Sequence, residues 1–390
     1  MPWCVLISRI RVPAPIGGAQ SSRRYYQLAG LRKWSAVRFV CGLLVSGVVI
    51  SACGGGSTPG AGSTKKYTMY LSNNYMGNDW RPQMERMATV LADKPPLKGR
   101  ITLKIQNASQ PTPTAQLQDL NNIIATKPDA ILIDSSSPDA LNATIQRACD
   151  AGIVVIGFDQ VPSAPCAWKI FEDGKDVGKG LALWLVASLN GTGDVFVDLA
   201  IPGFPFSQDL INGYKAVFAA NPGIHQTCTF TSQAAIGPEQ AGVAACLAAH
   251  PRVDGILSAS SGVGAMKAIA DAGLKPKLIA AGSTNGAMLA CATGTQPCGL
   301  YSSATWVSGL AEMTAVEILD GKRSKAGGTI AMPVPFLVSN GVNPPGMATP
   351  PQKIEIGVNC FQGVDAGVWM PLSPPWTTVT VQEAASGQAS

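Results

Sequence analysis

From residue 66 onward the chain alternates short apolar runs with stretches whose apolar positions recur at helical spacing. The runs at 68–71, 101–105, 130–133, 153–158, 195–199, 227–230, 255–257, 278–280 and 300–301 read as strands. The stretches at 79–93, 114–126, 138–151, 175–189, 208–220, 238–249, 262–272 and 306–320 read as helices. Strands alternating with helices predict parallel sheets covered on both faces. Pro138 and Pro238 stand in or near a first helical turn, where the missing N–H costs nothing. Gly152 and Gly273 stand where helices end. Nine strands are too many for one small sheet, and the pattern restarts near residue 194, so two lobes are expected. Residues 343–390 break the pattern with Pro344-Pro345, Pro350-Pro351 and Pro374-Pro375. They read as an extended tail laid over the body, frayed over 382–390.

The beginning of the chain reads as an address. A basic stretch around Arg32, Lys33 and Arg38 precedes an apolar run too short for a comfortable membrane span, the layout of a secretory signal. The run ends Ile50-Ser51-Ala52-Cys53, which resembles the lipobox of bacterial lipoproteins. That resemblance implies cleavage before Cys53 and acylation of its thiol, with residues 1–52 as signal peptide; a plain signal peptide is the alternative. Residues 53–65, rich in Gly and Ser, read as a flexible tether. The expected location is the outer face of a cell membrane, held by lipid.

Charge then narrows the function. The formal net charge is +5, but seven of the 29 cations lie in residues 1–52 with no acid among them. The remainder carries 22 cations against 24 acids, so no nucleic-acid partner is expected. Two histidines, His225 and His250, leave little for a metal site or for histidine acid–base chemistry, and no cofactor is expected. Six cysteines fall in neighbouring pairs, Cys149 with Cys166, Cys228 with Cys246 and Cys291 with Cys298. An exported protein sits where disulfides persist, so three local bridges are expected, with Cys360 left over; free buried thiols are the alternative.

Several landmarks in order resemble the ribose-type periplasmic binding proteins, the sugar-binding components of ABC importers. They are Tyr70-Leu71-Ser72-Asn73-Asn74-Tyr75 with Gly77-Asn78-Asp79-Trp80-Arg81, Pro128-Asp129-Ala130-Ile131-Leu132-Ile133, and Ala151-Gly152-Ile153 running to Asp159. Asp173, Gly178, Ile211-Asn212-Gly213-Tyr214 and Val253-Asp254-Gly255 continue the series, over roughly residues 66–335. The resemblance implies an α/β fold of two doubly wound parallel-sheet lobes joined by three crossings near 164–168, 300–303 and 325–332. It gives a first lobe of 66–165 plus 302–327 and a second of 166–301 plus 328–342. It further implies a monomer that closes on a small polar ligand, of the sugar or polyol class, and delivers it to an ABC permease without doing chemistry.

Ligands of open α/β sheets bind beyond the carboxyl ends of strands. Hydroxyl-rich ligands need charge-assisted hydrogen bonds and aromatic faces. The candidate contacts are therefore Asn74, Tyr75, Trp80, Asp134, Asp159, Ser260, Asn285, Ser302 and Trp306, with Phe204 and Phe206 near the cleft. Gln208 joins them because it stands where the family has a sugar-gripping arginine. Each has a plainer alternative: a cap for Asp134 or Asp159, core packing for Trp80, a turn for Ser260 or Asn285, open surface for Gln208. The second lobe departs from the family, with Ser260-Ser261 in place of acidic or amide residues, Gln160 for a common arginine and Ala234 for a frequent aromatic. A ligand smaller or less polar than a hexose, or contacts from Phe204, Phe206 and the tail, would reconcile this. Rival readings are a ligand-binding sensory lipoprotein feeding a chemoreceptor or sensor kinase, an enzyme on a doubly wound fold, and a lactose-repressor-type regulator. The chain lacks a Gly-x-Ser-x-Gly elbow and a phosphate loop, which argues against the enzyme, and an export signal argues against the regulator.

Overall fold

The computed structural model describes residues 65–294 and 296–390. In chain order the elements are β1 (Tyr67–Asn73), α1 (Trp80–Ala92), β2 (Ile101–Asn107), α2 (Pro113–Ala125), β3 (Ala130–Ile133), α3 (Asn142–Asp150), β4 (Val154–Phe158) and β5 (Trp168–Glu172). Then come α4 (Gly174–Ser188), β6 (Gly193–Asp198), α5 (Pro205–Ala219), β7 (Ile224–Phe230), α6 (Ile236–Ala249), β8 (Gly255–Leu257), α7 (Val263–Asp271), β9 (Leu278–Gly282), α8 (Asn285–Ala292) and β10 (Cys298–Tyr301). The remainder is α9 (Val307–Leu319), β11 (Gly328–Met332), β12 (Phe336–Val338), β13 (Gln352–Lys353) and α10 (Val381–Ser386).

The strands form two sheets. The first is six-stranded, ordered β11-β5-β4-β3-β1-β2, and parallel throughout. The second is seven-stranded, ordered β13-β12-β10-β9-β8-β6-β7, and parallel except where β12 runs against β10. The central strands carry continuous buried runs, as strands covered on both faces must; β3 and β4 are buried at every position. Every apolar run read as a strand lies on one of these strands, and the expected fold class is the observed one.

The boundaries between lobes differ from the expectation. The expectation places residues 166–172 and 328–332 in the second lobe, yet β5 pairs with β4 in the first sheet and β11 pairs with β5, Ile330 facing Ile170. β11 is the edge strand, Lys169 and Glu172 interrupt β5 beside it, and neither presents the apolar run that marks the central strands. The crossings move accordingly. The chain passes between sheets at Asp173, between β5 and α4, and again through 302–306 and 333–335.

Close backbone approach sets the second lobe. Helices α4 and α5 pack through two glycines: a Cβ on Gly178 would fall 2.1 Å from the Leu210 carbonyl oxygen, and one on Gly213 would fall 2.2 Å from that of Lys175. Beneath them the ring of Trp184, fully buried, lies against Gly299 of β10. The first lobe packs Met84 and Ala88 of α1 into its core, where α1 meets α9. Three disulfides join Cys149 to Cys166, Cys228 to Cys246 and Cys291 to Cys298, each between residues close in sequence, and Cys360 is buried and unbridged.

The tail is ordered to its end rather than frayed. Thr380 and Glu383 form a capping box at the start of α10. Glu383 also accepts from the Ser390 amide and hydroxyl and pairs with Lys94 at 2.8 Å, while Arg86 donates to the Ala384 carbonyl. The last helix is thus docked on α1 of the first lobe. Earlier in the tail, Asn285 donates to the carbonyls of Phe361 and Val364 and accepts from the Phe361 amide, fastening it to the second lobe.

Candidate functional site

The carboxyl ends of β4 in the first lobe, and of β6 and β8 in the second, open onto a common cleft. Asp159 follows β4 directly with φ 54°, in the left-handed region that Asp tolerates better than most residues. Ala200 (φ 56°) and Ala234 (φ 53°) share this conformation, and all three line the same small cavity between the lobes. Backbone strain of this kind concentrates at binding sites.

At the centre of the first-lobe wall is Arg81, in the first turn of α1 and almost wholly buried. Its guanidinium pairs with Asp134, lies 3.4 Å from Asp159 Oδ2 and sits over the Trp80 ring, 5.4 Å from its centroid. Asn74 donates to Asp134 at 3.3 Å. Burial pushes the Asp159 carboxyl above the usual carboxylate range, opposed by the positive charge of Arg81; burial equally lowers Arg81, opposed by Asp159. Two carboxyl groups thus share one guanidinium.

The second-lobe wall rests on buried carboxylates that organise its loops. Asp198 accepts from the amides of Ala200, Ser232 and Ala259, each at 2.9 Å. Glu239 accepts from the Ser258 hydroxyl at 2.5 Å and from the amides of Gly262 and Gly264, and burial pushes it up to about 7. The lobes touch: Gln160 of the first accepts from the Phe206 amide of the second at 2.9 Å, and Tyr75 meets Phe204 edge-on at 6.2 Å.

The cavity between the lobes is half-open, and its lining includes Trp80, Arg81, Asp159, Phe206 and, from the tail, Trp369. Of the residues expected at the site, Trp80 and Asp159 line this cavity, Asn74 and Asp134 stand behind it through Arg81, and Tyr75 lies at the lobe contact. Ser260 is buried and lies outside the lining.

Four expectations are corrected. Gln208 lies on the solvent face of α5 bonded to Asn212, because the helix directs Phe206 and Ser207 inward instead. Asn285 spends its amide on the tail. Ser302 donates to the Met370 carbonyl at 3.1 Å, and Trp306 packs edge-on against Trp376 at 5.6 Å. The last three are tail anchors, and the tail's path was not readable from local pattern. A separate, more apolar cavity of about 410 Å³ lies under the tail, with Leu337, Phe361 and Leu372 in its wall.

Sequence reasoning passed over Arg81 and Trp369. Arg81 was signalled by its place beside Trp80 at a strand-end loop, where a buried cation needs anionic partners. Trp369 carried no local signal.

Two sheets crossed three times face each other across a cleft of carboxylates, amides and aromatic rings, the architecture of a two-lobed binding protein. Residues 69–323 match the periplasmic binding protein domain, and the chain belongs to that family, whose ABC-transporter members act outside the cytoplasm. Among solved structures it resembles an ABC transporter solute binding protein from Thermobispora bispora, with TM-score 0.64 and 26% identity over 69% of this chain and 84% of that one. It also resembles a galactofuranose binding protein, with TM-score 0.64 and 19% identity over 70% and 95% of the two chains. A Mycobacterium smegmatis protein in complex with β-D-fucofuranose gives TM-score 0.63 and 19% identity over 70% and 91%. No curated protein matches the sequence.

Proposed function

We propose that the protein is the lipid-anchored, monomeric substrate-binding component of an ABC importer, taking a sugar or polyol between its lobes and handing it to a membrane permease. The observation that carries this is the Arg81–Asp159 pair beside the Trp80 ring: charged hydrogen-bonding groups next to an aromatic face suit a ligand with hydroxyls and C–H faces. The sugars named for similar structures support the class. Ligand binding then shifts an open–closed equilibrium by its preference for the closed form. Anchoring rests on Cys53, which lies outside the described residues together with the signal peptide (1–52) and the tether up to residue 64. No helix among the described residues is long and apolar enough to cross a membrane.

Thermal denaturation of the purified protein against a panel of sugars and polyols tests the reading. A ligand at a hundred times its Kd adds about 2.7 kcal/mol to native stability, a readable rise in Tm. Such a rise should disappear in Asp159→Ala. A panel in which no sugar or polyol shifts Tm overturns the ligand class.

A further inference from the structure

The tail carries a ring into the cleft. Trp369 lies beyond residue 323, where the family match ends, yet it lines the interlobe cavity beside Trp80, Arg81 and Asp159. Both lobes hold its backbone. From the first lobe, Gln83 donates to the Trp369 carbonyl at 2.9 Å and accepts from its amide at 2.8 Å. From the second, Trp369 bridges to Thr284 in antiparallel fashion, and the neighbouring Met370 amide donates to the Ser283 carbonyl. The ring is seated as well. A Cβ on Gly282 would fall 2.5 Å from its Cζ3 and 2.8 Å from its Cη2, so the benzo edge rests on bare backbone of the second lobe. The pyrrole edge, which carries Nε1, is the one turned away from β9.

Trp369 is 3% exposed, and its Nε1 is a buried donor with no hydrogen-bond partner among the described residues. Trp80 Nε1 and Arg81 Nε are in the same condition, and both residues line the same cavity. A buried donor left unsatisfied is unfavourable, so three of them around one cavity call for an acceptor inside it. Asp159, 3.4 Å from Arg81 on the same wall, calls for a donor. A hydroxyl group answers both needs, since it accepts and donates at one oxygen. An apolar solute would leave all of these groups unmet. Ala234, on the second-lobe side of the cavity, offers only a methyl group, so the aromatic surface there comes from Phe206 and the tail.

We propose that Trp369 is a ligand-binding residue supplied by the tail, donating its indole N–H to a hydroxyl oxygen of the solute in the cleft. The proposal rests on the sugar or polyol reading above and adds a contact to it.

The test combines isothermal titration of the purified protein and of Trp369→Phe with NMR of the indole N–H groups in protein labelled with ¹⁵N-tryptophan. The probes are D-galactose, L-arabinose, D-ribose and glycerol. The Gln83 bonds go to the tail's backbone, so Trp369→Phe keeps the tail attached and keeps a ring while removing the donor; its Tm without ligand checks that it folds. The indole resonance missing from Trp369→Phe identifies Trp369. Expected is binding of at least one probe by the native protein, weakened about threefold to tenfold in Trp369→Phe, with the Trp369 resonance moving downfield on saturation. A ring that only packs would leave that resonance without the shift of a newly bonded proton. Unchanged affinity in Trp369→Phe, or a Trp369 resonance that stays in place on saturation, overturns the contact and leaves the sugar reading standing. Absence of binding by the native protein with all four probes overturns the ligand class and the contact together.

Discussion

Arg81 and Asp134 form an ion pair in which both side chains are withdrawn from water, at 2% and 0% exposure. Breaking such a pair from one side leaves a buried charge without its partner, at a cost of roughly 3–5 kcal/mol. Arg81→Met alone should therefore lose about that much in chemical denaturation, while Arg81→Met combined with Asp134→Leu should lose clearly less. A loss in the double variant equal to the sum of the Arg81→Met and Asp134→Leu losses would show that the two charges are not coupled.

Gln83 satisfies two buried backbone groups of Trp369 at once. Each unsatisfied group costs roughly 1–3 kcal/mol, so Gln83→Leu should destabilise by about 2 kcal/mol or more. Faster proteolysis within residues 361–379 should accompany the loss, since this is the tail's inner tie to the first lobe. An unchanged digestion pattern would place the tail's attachment elsewhere.

Glu312 of α9 is fully buried, with neither carboxyl oxygen bonded among the described residues, and burial, aided by Asp93, raises its pKa well above the usual range. A carboxyl so placed is a liability that an apolar side chain of similar size relieves. Glu312→Leu should raise stability by about 1–3 kcal/mol, read as a higher Tm. A fall in Tm would reveal a partner for the carboxyl.

Glu172 closes β5 beside the first crossing, and its Oε1 accepts from the Ala304 amide of the second at 3.1 Å. Burial pushes its pKa up to about 8, with Asp159 adding to the rise and the Ala304 and Ser303 bonds opposing it. The folded state therefore holds a proton that the unfolded state has released between about pH 4.5 and 8, and stability falls as pH rises through that window. Glu239, pushed up to about 7, acts in the same direction. The Tm of Glu172→Gln should decline less between pH 5 and 8 than that of the native protein; parallel curves would remove Glu172 from the account.

The Cys149–Cys166 bridge spans 17 residues and ties α3 to the segment that leads into β5. Closing a loop of about 15 residues is worth roughly 3 kcal/mol by restricting the unfolded chain. Replacing both cysteines by alanine should cost about 2–4 kcal/mol. Mass spectrometry of the alkylated, unreduced native protein should label Cys360 after unfolding and none of the other described cysteines.

The sequence was most readable where burial is two-sided. The runs at β1, β3 and β4 are nearly all apolar because helices cover both faces, and that pattern needs no partner to be recognised. Strands β5 and β11 escape because charged or small polar residues break up the three apolar ones in the first and precede them in the second, and these strands mark the lobe boundary. At the site, Trp80 and Asp159 follow from their position after strand ends, a rule that works locally. Asn285 and Ser302 obey the same rule but are occupied by tail segments some 70 residues away in sequence, and no local pattern reports a contact at that distance.

Because the tail and the cleft belong to one chain, the indole of Trp369 returns to its seat as an intramolecular event. Linked groups of this kind meet at effective concentrations that reach roughly the millimolar range. A ligand able to bind only by expelling the ring would compete with that internal reservoir at every encounter. The tail's share of the cleft wall is thus set by covalent connection as much as by the shape of the lobes.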